Sequence, residues 1–209
     1  MYCTLREWQL LEKDRKDLIV QASSVLGDDA WQDFPIGMSW QFGKVDAPQF
    51  GSHENLLLCA VNTHTDSARR PSGLNRIAIV STLEKNSFQN TVLEAGTYFS
   101  SLPTYKFIAS PEGNGIDCHR HYEALIAGCI PIVEHNPLVE LKYRDCPVLY
   151  TTDYSEITPS YLEGIYNEWI DREWDFSRLF LSYYEYETQT TIKQFGNYWM
   201  NCLTGSNWY

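Results

Sequence analysis

The stretch Ser110-Pro111-Glu112-Gly113-Asn114-Gly115-Ile116-Asp117-Cys118-His119-Arg120-His121-Tyr122-Glu123-Ala124-Leu125 decides how the chain is read. An apolar run, Tyr105–Ser110 (YKFIAS), leads into it. A helical pattern over Cys118–Ala127, with Tyr122, Leu125 and Ile126 on one face, leads out. The stretch therefore joins a strand to a helix. Gly113 and Gly115 permit unusual dihedrals and let a ligand approach the backbone. The helix opening near Asp117 offers free N–H groups and the positive end of its dipole, a setting that suits an anion. Arg120 falls in the first turn, where a cation opposes the helix dipole but suits a docked phosphate. Glu123 follows three residues later on a nearby face, and a carboxylate there can accept hydrogen bonds from a ribose diol. A plain Gly-rich turn, with Arg120 and Glu123 as a surface pair, fits the same residues equally well. The spacing is not GxGxxG and no Walker lysine follows, which disfavours a dinucleotide dehydrogenase and a P-loop NTPase.

Outward from this turn, Gly128 occupies the position where a helix end needs a left-handed backbone. Ile130–Val133 and Pro147–Tyr150 read as strands after it. Upstream, Leu56–Val61 is a continuous apolar run, as in a strand buried on both faces, and ends in Asn62-Thr63-His64-Thr65-Asp66. Arg76–Thr82 (RIAIVST) reads as a further strand, and Thr91–Leu102 as a helix or turn. Leu5, Trp8, Leu11, Leu18, Ile19, Ala22 and Leu26 predict a helix over residues 5–26, ended by Gly27, Asp28 and Asp29. Residues 43–54 read as loop. Pro159–Tyr198 reads as largely helical with a break near Asp175. Alternation of strands and helices predicts an α/β fold: a Rossmann-like parallel sheet flanked by helices, with helical N- and C-terminal extensions.

The 209 residues carry 16 basic and 27 acidic side chains, a net charge of −11, which argues against a nucleic-acid partner. It leaves room for one small anion held by a few cations in a cleft. Six scattered cysteines without a CxxC pair read as free thiols. Cys118, His119 and His121 lack the second cluster that a zinc site requires. The nearest approach to a DxD metal motif is Gly27-Asp28-Asp29-Ala30, after the first predicted helix, so no divalent metal or other cofactor is expected. No apolar run approaches the about 20 residues that span a bilayer, and the N-terminus lacks a signal pattern, so the expected location is cytoplasmic. Tyr183, Tyr184, Tyr186, Tyr198 and Trp199 read as packing. Glu134 and His135, and Asp153 and Glu156, follow strands at the ligand-binding edge and read as ligand contacts or turn chemistry.

The string SPEGNGIDCHRHYEALIAGCIPIV resembles the signature of exostosin-like (GT47-type) glycosyltransferases. NPLVELKYRDCPVLYTTDYSEIT, FPIGMSW and NTHTDSARR resemble flanking segments of the same proteins, so the likeness covers roughly residues 34–190. It implies a GT-B-type donor domain and transfer of a sugar from a nucleotide sugar, a UDP-sugar, to a glycan acceptor, with inversion. Arg120 would pair with the diphosphate and, with Asp117, form the catalytic set. Glu123 would hold the ribose, with Asn62, Thr63, Arg69, Gly113, Asn114, Gly115 and His119 completing the nucleotide-sugar site. The catalytic base would come from His64, Asp66, Asp117 or His119. A complete GT-B enzyme has two Rossmann-like domains, each of about 100 residues. Residues 1–34 are therefore expected to be a helical remnant or truncation of the acceptor domain, and 35–209 the nucleotide-sugar-binding domain with C-terminal helices. A partner chain or oligomer would then complete the acceptor site. The alternative is a non-catalytic nucleotide-sugar-binding module that needs a partner chain. A phosphatase or hydrolase fits less well, because no DxDx[TV] or GxSxG motif is present.

Overall fold

The computed structural model describes residues 1–25 and 31–209. The acidic pair Asp28–Asp29, and the end predicted there for the first helix, lie outside the described residues. In chain order the elements are β1 (Tyr2–Thr4), α1 (Leu5–Leu10), β2 (Asn55–Leu58), α2 (Arg76–Lys85), α3 (Ala95–Ser101), β3 (Tyr105–Ala109) and α4 (His119–Ile126). They continue with β4 (Ile130–Glu134), α5 (Pro137–Lys142), β5 (Leu149–Thr151), α6 (Pro159–Trp169), β6 (Glu173–Asp175) and α7 (Tyr186–Thr204). Strands β2-β3-β4-β5 form one parallel sheet in sequential order, and β1 pairs antiparallel with β6. The register sets Leu57 opposite Phe107, Ile108 opposite Pro131 and Ile132 opposite Leu149. Helices flank the sheet, so the fold is α/β with a Rossmann-like parallel sheet. β4 is buried along its whole length, as its apolar run Ile130–Val133 requires, and the closing Glu134 is buried with it. No helix among the described residues is long and apolar enough to cross a membrane.

Two expected elements are corrected. Arg76–Thr82 is not a strand but the start of α2. The Asn75 side chain caps this helix by accepting from the Ala78 amide, and Ile79, Val80 and Leu83 face the core while Ile77 is exposed. A short apolar run does not separate helix from strand; the cap and the continuation to Lys85 do. The helix predicted over 5–26 stops at Leu10. Its start carries a capping box, with Thr4 and Glu7 bonding reciprocally. Beyond it, Leu18, Ile19 and Val20 are consecutive and all buried, as in an extended chain covered on both sides. Leu18 bridges Phe180 and Val20 bridges Met38. The apparent helical spacing of Leu18 and Ala22 with the earlier residues was coincidental.

The C-terminal end of α4 is as expected. Gly128 adopts φ +78°, and the Cys129 amide returns to the Ala124 carbonyl at 2.9 Å. Helix α4 is also tied to both ends of the chain. Trp8 Nε1 donates to the Leu125 carbonyl at 2.7 Å. The Tyr122 hydroxyl donates to the Leu179 carbonyl and accepts from the Ile19 amide. The Tyr209 hydroxyl reaches the Leu18 carbonyl at 2.9 Å. These bonds pin the N-terminal segment along α4.

Candidate functional site

A cleft of about 1170 Å³ opens at the carboxyl ends of β2 and β3. One wall is the Gly113–Gly115 turn with the first turn of α4. The facing wall comes from residues 22–24 and 31–41, including Trp31, Ile36 and Ser39. That wall is built from extended chain: Met38 donates to the Ile19 carbonyl, Ala22 to the Ile36 carbonyl, and Trp199 Nε1 to the Ser23 carbonyl. Of the residues expected to bind the nucleotide sugar or form the catalytic set, all but Thr63 line the cleft, whereas the base candidates His64 and Asp66 do not.

The glycine turn is held from below. His121 is fully buried, with Nε2 3.3 Å from the Ile116 carbonyl and Nδ1 2.7 Å from Ser110 Oγ. A carbonyl only accepts, so Nε2 carries the proton and Nδ1 accepts from the serine hydroxyl. One neutral imidazole thus clamps both ends of the turn, and burial lowers its pKa. Inside the turn, the Gly113 amide donates to the Gly115 carbonyl at 3.0 Å. A Cβ on Gly113 would lie 3.0 Å from an Arg76 nitrogen.

Four cationic side chains line the cleft: Arg69, Arg76, Arg120 and Lys142. Arg69 pairs with Glu112 at 2.6 Å and donates to the Gly113 carbonyl, so its charge is already compensated. Arg76 directs its guanidinium to the carbonyls of Asn62, Pro111 and Glu112. Lys142 pairs with Asp117 at 3.0 Å. Arg120 alone of the four is held by a single protein carbonyl, that of Ala60, with its guanidinium 5.2 Å from the Tyr98 ring centre. It has no carboxylate at ion-pairing distance among the described residues.

Glu123 is 4% exposed, so it is not half of a surface pair with Arg120. Its Oε1 accepts from the Ser39 amide at 3.0 Å, which ties α4 to the facing wall. Beside it lies the buried Tyr98 hydroxyl, with the Glu123 carboxylate as its polar neighbour. The Tyr98 phenol is raised well above its usual range, first by burial and then by the Glu123 charge. Asp117 departs from the role expected for it. Its Oδ2 accepts from Lys142 Nζ and the Ile36 amide, and its Oδ1 from the Tyr143 hydroxyl at 2.8 Å. Both oxygens are occupied by protein donors, and the side chain anchors the turn to α5 and the facing wall. His119 donates from Nδ1 to the Gly37 carbonyl at 2.7 Å. The Asn62 side chain caps the His64 amide at 3.0 Å.

The remaining expected groups lie elsewhere. Asp66 is buried, accepting from Arg70 Nε and the Arg76 amide. Glu134 pairs with Arg70 at 2.7 Å and accepts from the Glu112 amide and the Tyr154 hydroxyl. His64 is exposed and outside the cleft. Asp153 caps the Ser155 amide, and Glu156 accepts from the Thr151 hydroxyl. His135 approaches Glu140 at the surface. These four post-strand residues serve turns and ion pairs. Cys118, His119 and His121 do not converge, because each imidazole is turned to a different carbonyl. All six cysteines are free, and burial pushes the Cys59 thiol up to about 12 and the Cys118 thiol up to about 11. Tyr98, Arg76, Ser39 and Lys142 were not anticipated. Ser39 and Lys142 sit in the flanking segments FPIGMSW and NPLVELKYRDC. No local signal marks any of the four as a cleft residue, and each reaches the cleft from an element remote in sequence.

Compared with known proteins, the chain matches no protein-family model and no curated protein.

Proposed function

We propose that the cleft binds a nucleotide sugar, a UDP-sugar by the exostosin-like resemblance, and that the chain is a GT-B-type glycosyltransferase acting on a glycan hydroxyl. The observation that carries this reading is Arg120. It is a cation with no carboxylate partner among the described residues, at the open N-terminus of α4 above a large polar cleft. As the bond to the sugar breaks, negative charge grows on the leaving diphosphate. A preorganised guanidinium and helix-terminal amides lower that barrier. Glu123, one turn further along α4 in the cleft lining, supplies a carboxylate for the hydroxyl-rich part of the ligand.

Calorimetry with UDP tests the reading. The intact chain binds UDP, and Arg120→Ala weakens binding tenfold or more, the consequence of losing a charge-assisted bond of about 1.5–3 kcal/mol. No binding, or equal binding by the variant, refutes it.

A further inference from the structure

Resting on the nucleotide-sugar reading, we propose that His119 is the general base of the reaction, taking the proton of the acceptor hydroxyl on Nε2. A carbonyl can only accept, so the 2.7 Å contact with Gly37 requires the proton on Nδ1. In the neutral ring the lone pair is then on Nε2. That atom makes no hydrogen bond among the described residues, and His119 lines the cleft. A second group that fixes tautomer and orientation is what a histidine base requires.

The orienting carbonyl is itself rigid. Gly37 sits at φ +76°, wedged against Ile19, where a Cβ would come within 2.2 Å of the Ile19 carbonyl oxygen. The next residue, Met38, donates to that same carbonyl at 2.8 Å. The competing bases are otherwise engaged. Asp117 serves three donors, Asp66 is buried away from the cleft with one oxygen bound by Arg70 and the Arg76 amide, and both nitrogens of His121 are occupied. Glu94 lines the cleft but is exposed, and its side chain makes no cap bond to α3.

The step balances without further reactants. The acceptor hydroxyl gives its proton to His119 Nε2, and its oxygen forms a bond to the anomeric carbon. The bond from that carbon to the phosphate oxygen breaks, and its electron pair leaves on the nucleoside diphosphate, next to Arg120. With water as acceptor, the same step releases UDP and free sugar.

The test uses the full chain with UDP-glucose, UDP-N-acetylglucosamine, UDP-xylose and UDP-glucuronate, water as acceptor, and UDP release as readout. His119→Gln is expected to bind UDP within about threefold of the unaltered chain. Its kcat should fall at least about 100-fold with KM little changed, the scale of a lost general base. Glu94→Gln should keep its rate. A fall of about 100-fold in the Glu94→Gln variant, with His119→Gln unaffected, would assign the base to Glu94 and overturn the proposal. Nitrogen-15 NMR of the unaltered chain should show His119 protonated on Nδ1, a readout that stands even if the glutamine variant fails to fold. Release by His119→Gln within threefold of normal overturns the proposal. So does a loss of UDP affinity equal to the loss of rate, or a proton on Nε2 alone. An unaltered chain that binds UDP but releases none from the four sugars also overturns it, leaving the binding reading intact. A chain that binds no UDP refutes the nucleotide-sugar reading itself.

Discussion

Asp117→Asn separates an anchoring role from a chemical one. Asp117 and Lys142 are 5% and 6% exposed and meet at 3.0 Å. Removing the carboxylate charge leaves the Lys142 ammonium buried against the Trp31 ring, 4.6 Å from its centre, without a counter-ion. It also leaves one acceptor oxygen to serve the Ile36 amide, Lys142 and Tyr143. Breaking a buried pair on one side costs about 3–5 kcal/mol. The unfolding entropy of about 2.1 cal/mol/K per residue amounts to about 0.44 kcal/mol/K for a 209-residue chain. The melting temperature should therefore fall by about 7–11 °C. Adding Lys142→Met removes the stranded charge and should restore more than half of that loss. Scanning calorimetry of the single and double variants, followed by UDP titration, gives both quantities. A single variant melting within about 2 °C of the parent, with turnover abolished, would refute the anchoring role and return Asp117 to the chemistry.

Two glycines should respond differently. Gly128→Ala places a Cβ at φ +78° and 2.8 Å from the flexible Gln9 side chain, and should cost about 1–2 kcal/mol in urea unfolding. Gly37→Ala drives a Cβ into the Ile19 backbone and should cost clearly more, so equal losses would contradict the wedge. Acidification should also destabilise the fold. Burial lowers the pKa of His121, and burial together with the Lys13 charge lowers that of His53. Below pH about 6.5 the unfolded chain takes up two protons that the folded chain resists, so stability falls as pH falls, by at most about 2.7 kcal/mol per unit. Urea midpoints that match at pH 7.0 and 5.5 would exclude this.

The turn from Ser110 to Leu125 was legible because its information is local. A strand, a pair of glycines, a helix start and a left-handed Gly128 all follow from short-range sterics and hydrogen bonding, and each falls close to where the residues place it. RIAIVST is ambiguous in sequence because β-branched apolar residues satisfy both a buried strand and one face of a helix. Only the Asn75 cap and the buried side of α2 decide between them. The first helix is shorter than its apolar pattern implies because Leu18–Val20 supplies apolar residues at any period.

By itself, the sequence determined the alternating α/β order, the anion-suited turn and the residue types it carries. The charge state and orientation of those residues came from tertiary structure. Arg69 and Arg120 are both arginines in suggestive motifs, yet Glu112 compensates one, while the other meets only a carbonyl and an aromatic face. Asp117 and His119 lie two residues apart, yet three donors occupy the first, and Gly37 leaves one nitrogen of the second free. These distinctions depend on partners brought in from far along the chain. No local spacing encodes them, because burial and pairing, rather than residue type, decide which polar atoms remain available to a ligand.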